Sequence, residues 1–344
     1  MSDLLVLPEG SVDGQNDGPR IVDMEAGRRA FLRHLGLGIA GAAMMAGTAS
    51  AFAQTPGAPG GATIPSQPDL DLSIVNFALN LEYLEATFYL RAIGQDLTAA
   101  EIDGMGTLGA VTGGRAANFS TSLVASYADE IANDEHTHVV LFRGAAQALG
   151  GPGAQVARPA LNIDGGPNGA FTAAARAAGI IGPTATFDPY AGDVNFLLAA
   201  YIFEDVGVTA FSGAAPLVQR RNILAAAAGV LAVEAYHAGL IRTVLFATNV
   251  TPPNFNYKAT AGISNLRRTL SGANDDQGIG PDQSTLAGGK ATRSNIVPTG
   301  ANGVAFARSP RQVLNIVYGA QNAHSGLFFP NGLNTNAVTP AGFK

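Results

Sequence analysis

The sequence predicts an all-α protein: a four-helix bundle with one long crossover connection and an irregular C-terminal extension. Three observations carry this. Four stretches place apolar residues at alternating spacings of three and four, the signature of one buried helix face. The connections between them run short, long, short, as a bundle requires when its second and third helices lie parallel. Beyond residue 250 the composition turns to Asn, Gly, Thr, Ser and Pro.

The chain begins with what reads as an address. Arg28, Arg29, Ala30, Phe31, Leu32 and Arg33 resemble the twin-arginine motif. An apolar run follows over residues 35–47, then a small-x-small cleavage site at Ala51, Phe52 and Ala53. That run is too short to span a bilayer, which takes about 20 apolar residues, so no stable membrane anchor is expected. The expected organisation is an export signal over 1–53 and a flexible lead-in over 54–67. A bundle over 68–250 and a C-terminal extension over 251–344 follow. A periplasmic or secreted location goes with it.

The first bundle helix is expected over 69–92, stopping near Gly94. The second runs over 117–149 and ends at Gly150, Gly151 and Pro152, a strong stop signal. The third covers 193–211 and the fourth 216–247, ending before Pro252 and Pro253. In the extension one short run, 309–318, reads as a helix with Pro310 in its first turn. Val313, Leu314, Ile316, Val317, Tyr318, Leu327, Phe328 and Phe329 predict that this extension packs on the bundle.

Bulk composition narrows the chemistry. Hydrophobic residues make up 47% of the 344 and charged residues 13%, enough apolar material for a sizeable core. A net charge of −6 leaves no basic footprint for nucleic acid. The absence of cysteine excludes disulfides, zinc-thiolate sites and iron–sulfur clusters. Any metal must be held by Glu, Asp, His or backbone oxygen.

Carboxylates interrupt the buried stripes. On the fourth helix Leu224, Ala227, Leu231, Ala238, Ile241 and Leu245 share a stripe with Glu234, and His237 projects beside Glu234. On the second, Val124, Ala128, Ile131 and Phe142 share it with Glu135 and His138. Glu204 interrupts the third, and Glu82 and Glu85 both interrupt the first. A buried, unpaired carboxylate is costly or takes up a proton, and four at one level repel each other. Two divalent cations would balance four such charges, with two imidazoles as neutral ligands. Carboxylate plus imidazole without thiolate suits iron first and manganese second, with zinc also compatible.

At these residues the chain resembles the ferritin-like superfamily, whose ligand set is one Glu from each of two helices and a Glu-x-x-His from each of two others. The resemblance implies Glu82, Glu135, His138, Glu204, Glu234 and His237 as metal ligands. Glu82 is chosen over Glu85 because Asn80, Leu81 and Glu82, with Tyr89 seven residues on, look like the first ferritin helix. Residues 76–89 and 134–139 are similar to the desiccation-related ferritin-like proteins of plants and bacteria. So are the tail elements Phe306-Ala307-Arg308, Gln312-Val313-Leu314 and Phe328-Phe329-Pro330.

Several neighbours carry open readings. Asp134 and Asp205 are either carboxylates that orient a ligand or plain helix charges. Tyr89, Tyr201 and Tyr236 are expected near the ligand level. His136 is expected to face outward and His324 to be structural, while Arg91 and Arg143 read as exposed helix charges. The expected function is metal binding, with iron(II) oxidation or peroxide removal as the chemistry and oxygen or peroxide as partner. A structural or vestigial metal site in a non-catalytic stress protein is the alternative.

Overall fold

The computed structural model describes residues 69–248, 255–280 and 294–335. The export signal and lead-in expected before residue 68 lie outside the described residues. Four long helices form the bundle: α1 (Leu70–Ala92), α3 (Ser122–Gly150), α5 (Asp193–Ala214) and α6 (Arg221–Ala247). Between α1 and α3 lie a single turn, α2 (Ala99–Ile102), and a short strand, β1 (Val111–Gly113). The crossover from α3 to α5 carries β2 (Leu161–Ile163) and α4 (Ala170–Ala177). The extension adds α7 (Phe255–Ser271) and α8 (Pro310–Tyr318).

Hydrogen bonds at the helix ends fix the direction of each helix. Ala117 N–H donates to the Ala92 carbonyl, joining the end of α1 to the approach of α3, so this pair is antiparallel. Asp193, first residue of α5, accepts from Ser120 N–H and the Thr121 hydroxyl at the start of α3. Helices α3 and α5 therefore run parallel, which is what the long crossover allows. Asp71 of α1 accepts from Gln219 N–H at 2.7 Å and Arg220 N–H at 2.9 Å, tying the start of α6 to the start of α1. The crossover is held by a parallel pairing of β1 with β2, Val111 opposite Leu161.

Two helix starts differ from the sequence expectation. α3 begins at Ser122, not 117, because Thr121 is the N-cap and its hydroxyl accepts from Val124 N–H. α6 begins at Arg221, not 216, because Pro216 sits in a 3₁₀ turn, Ala215–Leu217, after which the chain extends. The seventeen-residue α7 was not expected at all. Its buried face follows the helical period, but through Asn256, Thr260, Ser264, Arg267 and Ser271 as much as Ala259, Ile263 and Leu270. A stripe of polar residues gives no hydrophobic signal. α8 begins as expected: Ser309 and Gln312 form a capping box and Pro310 occupies the first turn.

The extension meets α5 through a buried charge network. Asp205 of α5 accepts from Arg242 of α6 and Arg267 of α7, each at 2.8 Å. Arg267 also pairs with Asp276, and Arg308 with Asp275 and Asp276. All three arginines are at most 1% exposed. Tyr201 lies beneath two of them, with the Arg267 guanidinium 4.5 Å from its ring centre. Gly213 admits the extended chain before α8, since a Cβ there would sit 1.9 Å from the Arg308 carbonyl oxygen.

Covered by α3, α5, the crossover and the extension, α1 is buried around almost its whole circumference. α5 and α6 are long and apolar enough to cross a membrane by length and composition, but both contribute buried faces to the bundle. The outer face of α6 is exposed: Leu224, placed on the stripe by sequence, is 38% exposed, and Tyr236 78%. Ile223 and Val230 take the inward places instead.

Candidate metal centre

Each bundle helix delivers its carboxylate to one level. Glu82 comes from α1, Glu135 and His138 from α3, Glu204 from α5, and Glu234 and His237 from α6. The four glutamates are fully buried, and the histidines nearly so. Two groups form. Glu82, Glu135, His138 and Glu234 offer ligand atoms within 4.8 Å of one another, and so do Glu135, Glu204 and His237. Glu135 belongs to both. Glu85, one turn beyond Glu82, is buried close by but joins neither group.

The histidines face inward in the same way. His138 Nδ1 lies 3.3 Å from Glu82 Oε2, 3.4 Å from Glu135 Oε2 and 3.8 Å from Glu234 Oε1. His237 Nδ1 lies 3.1 Å from Glu135 Oε1 and 3.4 Å from Glu204 Oε2. The ring centres are 6.5 Å apart. Thus the i, i+3 spacing sets each Glu–His pair on one helical face, and α3 and α6 oppose the two pairs at one level.

What the cluster lacks is hydrogen bonds. Both oxygens of Glu82, Glu135 and Glu234, one oxygen of Glu204, and Nδ1 of each histidine are buried without a hydrogen-bond partner. Buried polar atoms are nearly always paired, so a cluster of orphaned donors to metal is strong physical evidence. Bound cations would satisfy them all at once. Among the described residues no arginine or lysine pairs with these carboxylates; only the two histidines face them. The fit of this oxygen and nitrogen set to a carboxylate-bridged metal site is therefore good.

The electrostatics tell the same story. Burial pushes Glu82 up from 4.5 to about 8, against the pull of His138. Burial together with neighbouring carboxylates pushes Glu234 and Glu85 well above the usual carboxylate range. Burial also raises Glu204, over the opposing charge of His237. At Glu135 burial raises the pKa, but the close-lying imidazoles of His138 and His237 outweigh it and hold the carboxyl well below its ordinary value. Burial disfavours both imidazolium ions, yet Glu82 facing His138 and Glu204 facing His237 raise them from 6.5 to about 12.

A pH dependence follows. A group whose pKa is raised on folding stabilises below its unfolded value and loses that contribution as pH rises. For Glu82 the loss runs from 4.5 to about 8, and for the histidines from 6.5 to about 12. Metal-free protein should therefore melt at falling temperatures as pH rises through neutrality. Metal binding needs deprotonated carboxylates and neutral imidazoles. The rise in melting temperature on adding metal should thus be larger above neutrality than below it. Thermal scans with chelator and with metal, at several pH values, read both trends.

Neighbouring residues sharpen the site. The Tyr89 hydroxyl donates to Glu204 Oε1. Asp134, four residues from His138, instead reaches across to α6, where its Oδ2 lies 3.1 Å from His237 Nε2. A carboxylate on the outer nitrogen fixes the ring and leaves Nδ1 free to bind. Asp134→Asn should weaken metal binding by roughly 10- to 100-fold with the fold intact, as such orienting partners do. Calorimetric titration with manganese, alongside circular dichroism, checks this. Gly207 also matters: a Cβ there would lie 2.1 Å from Glu234 Oε2, so only glycine leaves that carboxylate its place.

Other expectations resolve differently. Tyr201 belongs to the arginine network, its hydroxyl donating to the Gln277 carbonyl, and Tyr236 points to solvent. Asp205 next to Glu204 is the hub of that network, not a solvated charge. Arg143 is not a free surface charge: it donates to the Tyr83 hydroxyl and the Asp103 carbonyl, and pins α2 against α3. Arg91 pairs with Asp96 and bonds the Gly113 carbonyl. His136 faces outward as expected and meets Glu101 at 2.7 Å.

The sequence over residues 70–247 matches the ferritin-like domain family. It is 29% identical over 276 residues to the ferritin-like catalase Nec2 of Nesocodon mauritianus, covering 77% of this chain and 84% of that protein. It is 31% identical over 253 residues to the desiccation-related protein PCC13-62 of Craterostigma plantagineum, covering 72% and 77%. No solved structure matches. The family match spans α1 to α6, the helices that bring the carboxylates and imidazoles to one level, and with two such relatives it shows that the chain belongs to the ferritin-like domain family.

Proposed function

We propose that this protein is an exported di-metal protein that removes peroxide, with manganese or iron at the carboxylate cluster. The single observation that carries the reading is the pair of ligand groups sharing Glu135, with their oxygens and nitrogens otherwise unpartnered. Glu82, His138 and Glu234 would hold one ion, Glu204 and His237 the other, and Glu135 would bridge them. When bound, a pair of redox-active ions supplies the two-electron capacity that turns two peroxide molecules into two waters and one dioxygen. The name of one relative, ferritin-like catalase, supports peroxide as the substrate.

The chain's own residues would set the conditions. The fully buried carboxylates would keep bulk water off the ions, and the histidines, 6% and 4% exposed, are the ligand residues with any exposure. Asp134, 3.1 Å from His237 Nε2, would keep a proton on that nitrogen and leave Nδ1 to metal. Tyr89 donates to Glu204 and fixes which of its oxygens is left for metal. Twin-arginine export, read from Arg28 and Arg29, would deliver the bundle folded and metal-loaded.

Elemental analysis of the purified protein, followed by an oxygen electrode, tests the reading. Two equivalents of manganese or iron per chain with dioxygen release on adding peroxide supports it. Dioxygen uptake on adding iron(II) instead would assign iron oxidation. Stoichiometric zinc without turnover would assign a structural site, and no bound metal would overturn the reading altogether.

A further inference from the structure

A small cavity lies against the carboxylate cluster on the side covered by the C-terminal extension. Its free volume is about 20 Å³, room for one molecule of water or diatomic size. Leu84 and Glu85 of α1, Val206 and Gly207 of α5, Val317 of α8 and Phe328 are in its wall. Glu85 is the one side chain there that carries a polar group.

Two residues join this cavity to the cluster. Gly207 lines it and, by lacking a side chain, gives the Glu234 carboxylate its place. Glu85 is 5% exposed, sits one turn after Glu82, and belongs to neither ligand group. The occupant of such a space must be small, uncharged and content with one polar neighbour. A trapped water needs two to four polar partners, and peroxide has a similar appetite for hydrogen bonds. An anion would meet an apolar wall beside buried carboxylates, which is prohibitive. Dioxygen requires none of these contacts.

We propose that this cavity is a dioxygen-holding site beside the metal centre, completed by the extension through Val317 and Phe328. It rests on the redox reading of the cluster. Dioxygen there is the product if peroxide is disproportionated and the co-substrate if iron(II) is oxidised. In either case the extension, whose described residues join neither ligand group, provides part of the gas site.

Xenon tests the site without metal, because dry apolar cavities bind it. Crystals of the metal-free full chain under xenon pressure should show one atom against Val206, Val317 and Phe328. Val317→Phe, on the extension's side of the cavity and in neither ligand group, should abolish that atom while metal content stays unchanged. Val317→Ile provides a milder filling if the larger ring prevents folding. In loaded protein the filled variant should lower the rate several-fold. A raised KM for dioxygen during iron(II) oxidation identifies the co-substrate, and slower dioxygen release from peroxide identifies the product. No xenon in the unmodified protein overturns the proposal, as does an unchanged rate in a variant that has lost xenon. Loss of metal from the purified protein overturns the functional reading instead, and elemental analysis reads that separately.

Discussion

Replacing Glu135 with alanine should empty the cluster of metal. Glu135 is the one residue common to both ligand groups, and each of its oxygens faces a different histidine. Its loss removes a ligand from both positions at once and leaves Glu82, Glu204 and Glu234 without the bridge that holds the ions together. A residue that merely orients a ligand is worth about 10- to 100-fold in affinity, and a shared ligand should exceed the top of that range. Elemental analysis after dialysis should find little or no manganese or iron, where the unmodified protein retains it. The fold should survive, because the apolar faces of the four long helices are untouched. Melting temperature without metal should fall modestly, since Glu135 is the carboxyl that His138 and His237 hold below its ordinary pKa, while the increment on adding metal disappears. Retention of metal at the unmodified level would show that the cluster is not the site.

Arg267→Ala should be the most destabilising of the single changes considered. Arg267 is 1% exposed and donates to Asp205 and Asp276, and its removal leaves those buried carboxylates to a smaller set of partners. Breaking one side of a buried ion pair typically costs about 3–5 kcal/mol, most of it the penalty of the uncompensated charge. Arg220→Ala is the matched control: Arg220 is 44% exposed, and buried Asp71 keeps the Gln219 and Arg220 backbone N–H groups, so a cost near the about 0–1 kcal/mol of surface ion pairs is expected. Urea unfolding of the two variants should separate them by several kcal/mol. Because Asp205 adjoins Glu204 on α5, Arg267→Ala should also weaken metal binding, whereas Arg220→Ala should not.

The bundle was legible because its evidence is periodic. Apolar positions at three- and four-residue spacing gave four helices, Gly150 and Gly151 ended the second, and the long crossover set α3 parallel to α5. The interrupting glutamates were legible for the same reason: a carboxylate where leucine is due stands out against an apolar stripe. Helix starts were less legible, since Thr121 as a cap and Pro216 in a 3₁₀ turn depend on which hydrogen bonds the tertiary fold offers. α7 was hidden because its buried face is made of Asn256, Thr260, Ser264 and Arg267, whose burial is tolerable only with partners from distant parts of the chain.

What the sequence determined by itself is the inventory: a helical bundle of the ferritin-like type, with a carboxylate or a Glu–His pair facing inward on each long helix. Only the tertiary structure decided how that inventory is shared. It set Glu82 among the clustered ligand atoms and Glu85 beside the cavity, though both lie on one buried face of α1. It made Glu135 common to both groups, sent Asp134 to a histidine on another helix, and turned Asp205 from a neighbour of the cluster into the anchor of the extension. Spacing along one helix fixes which side chains share a face. Which of them meet across helices is fixed by the relative height and rotation of packed neighbours, and no single stripe carries that.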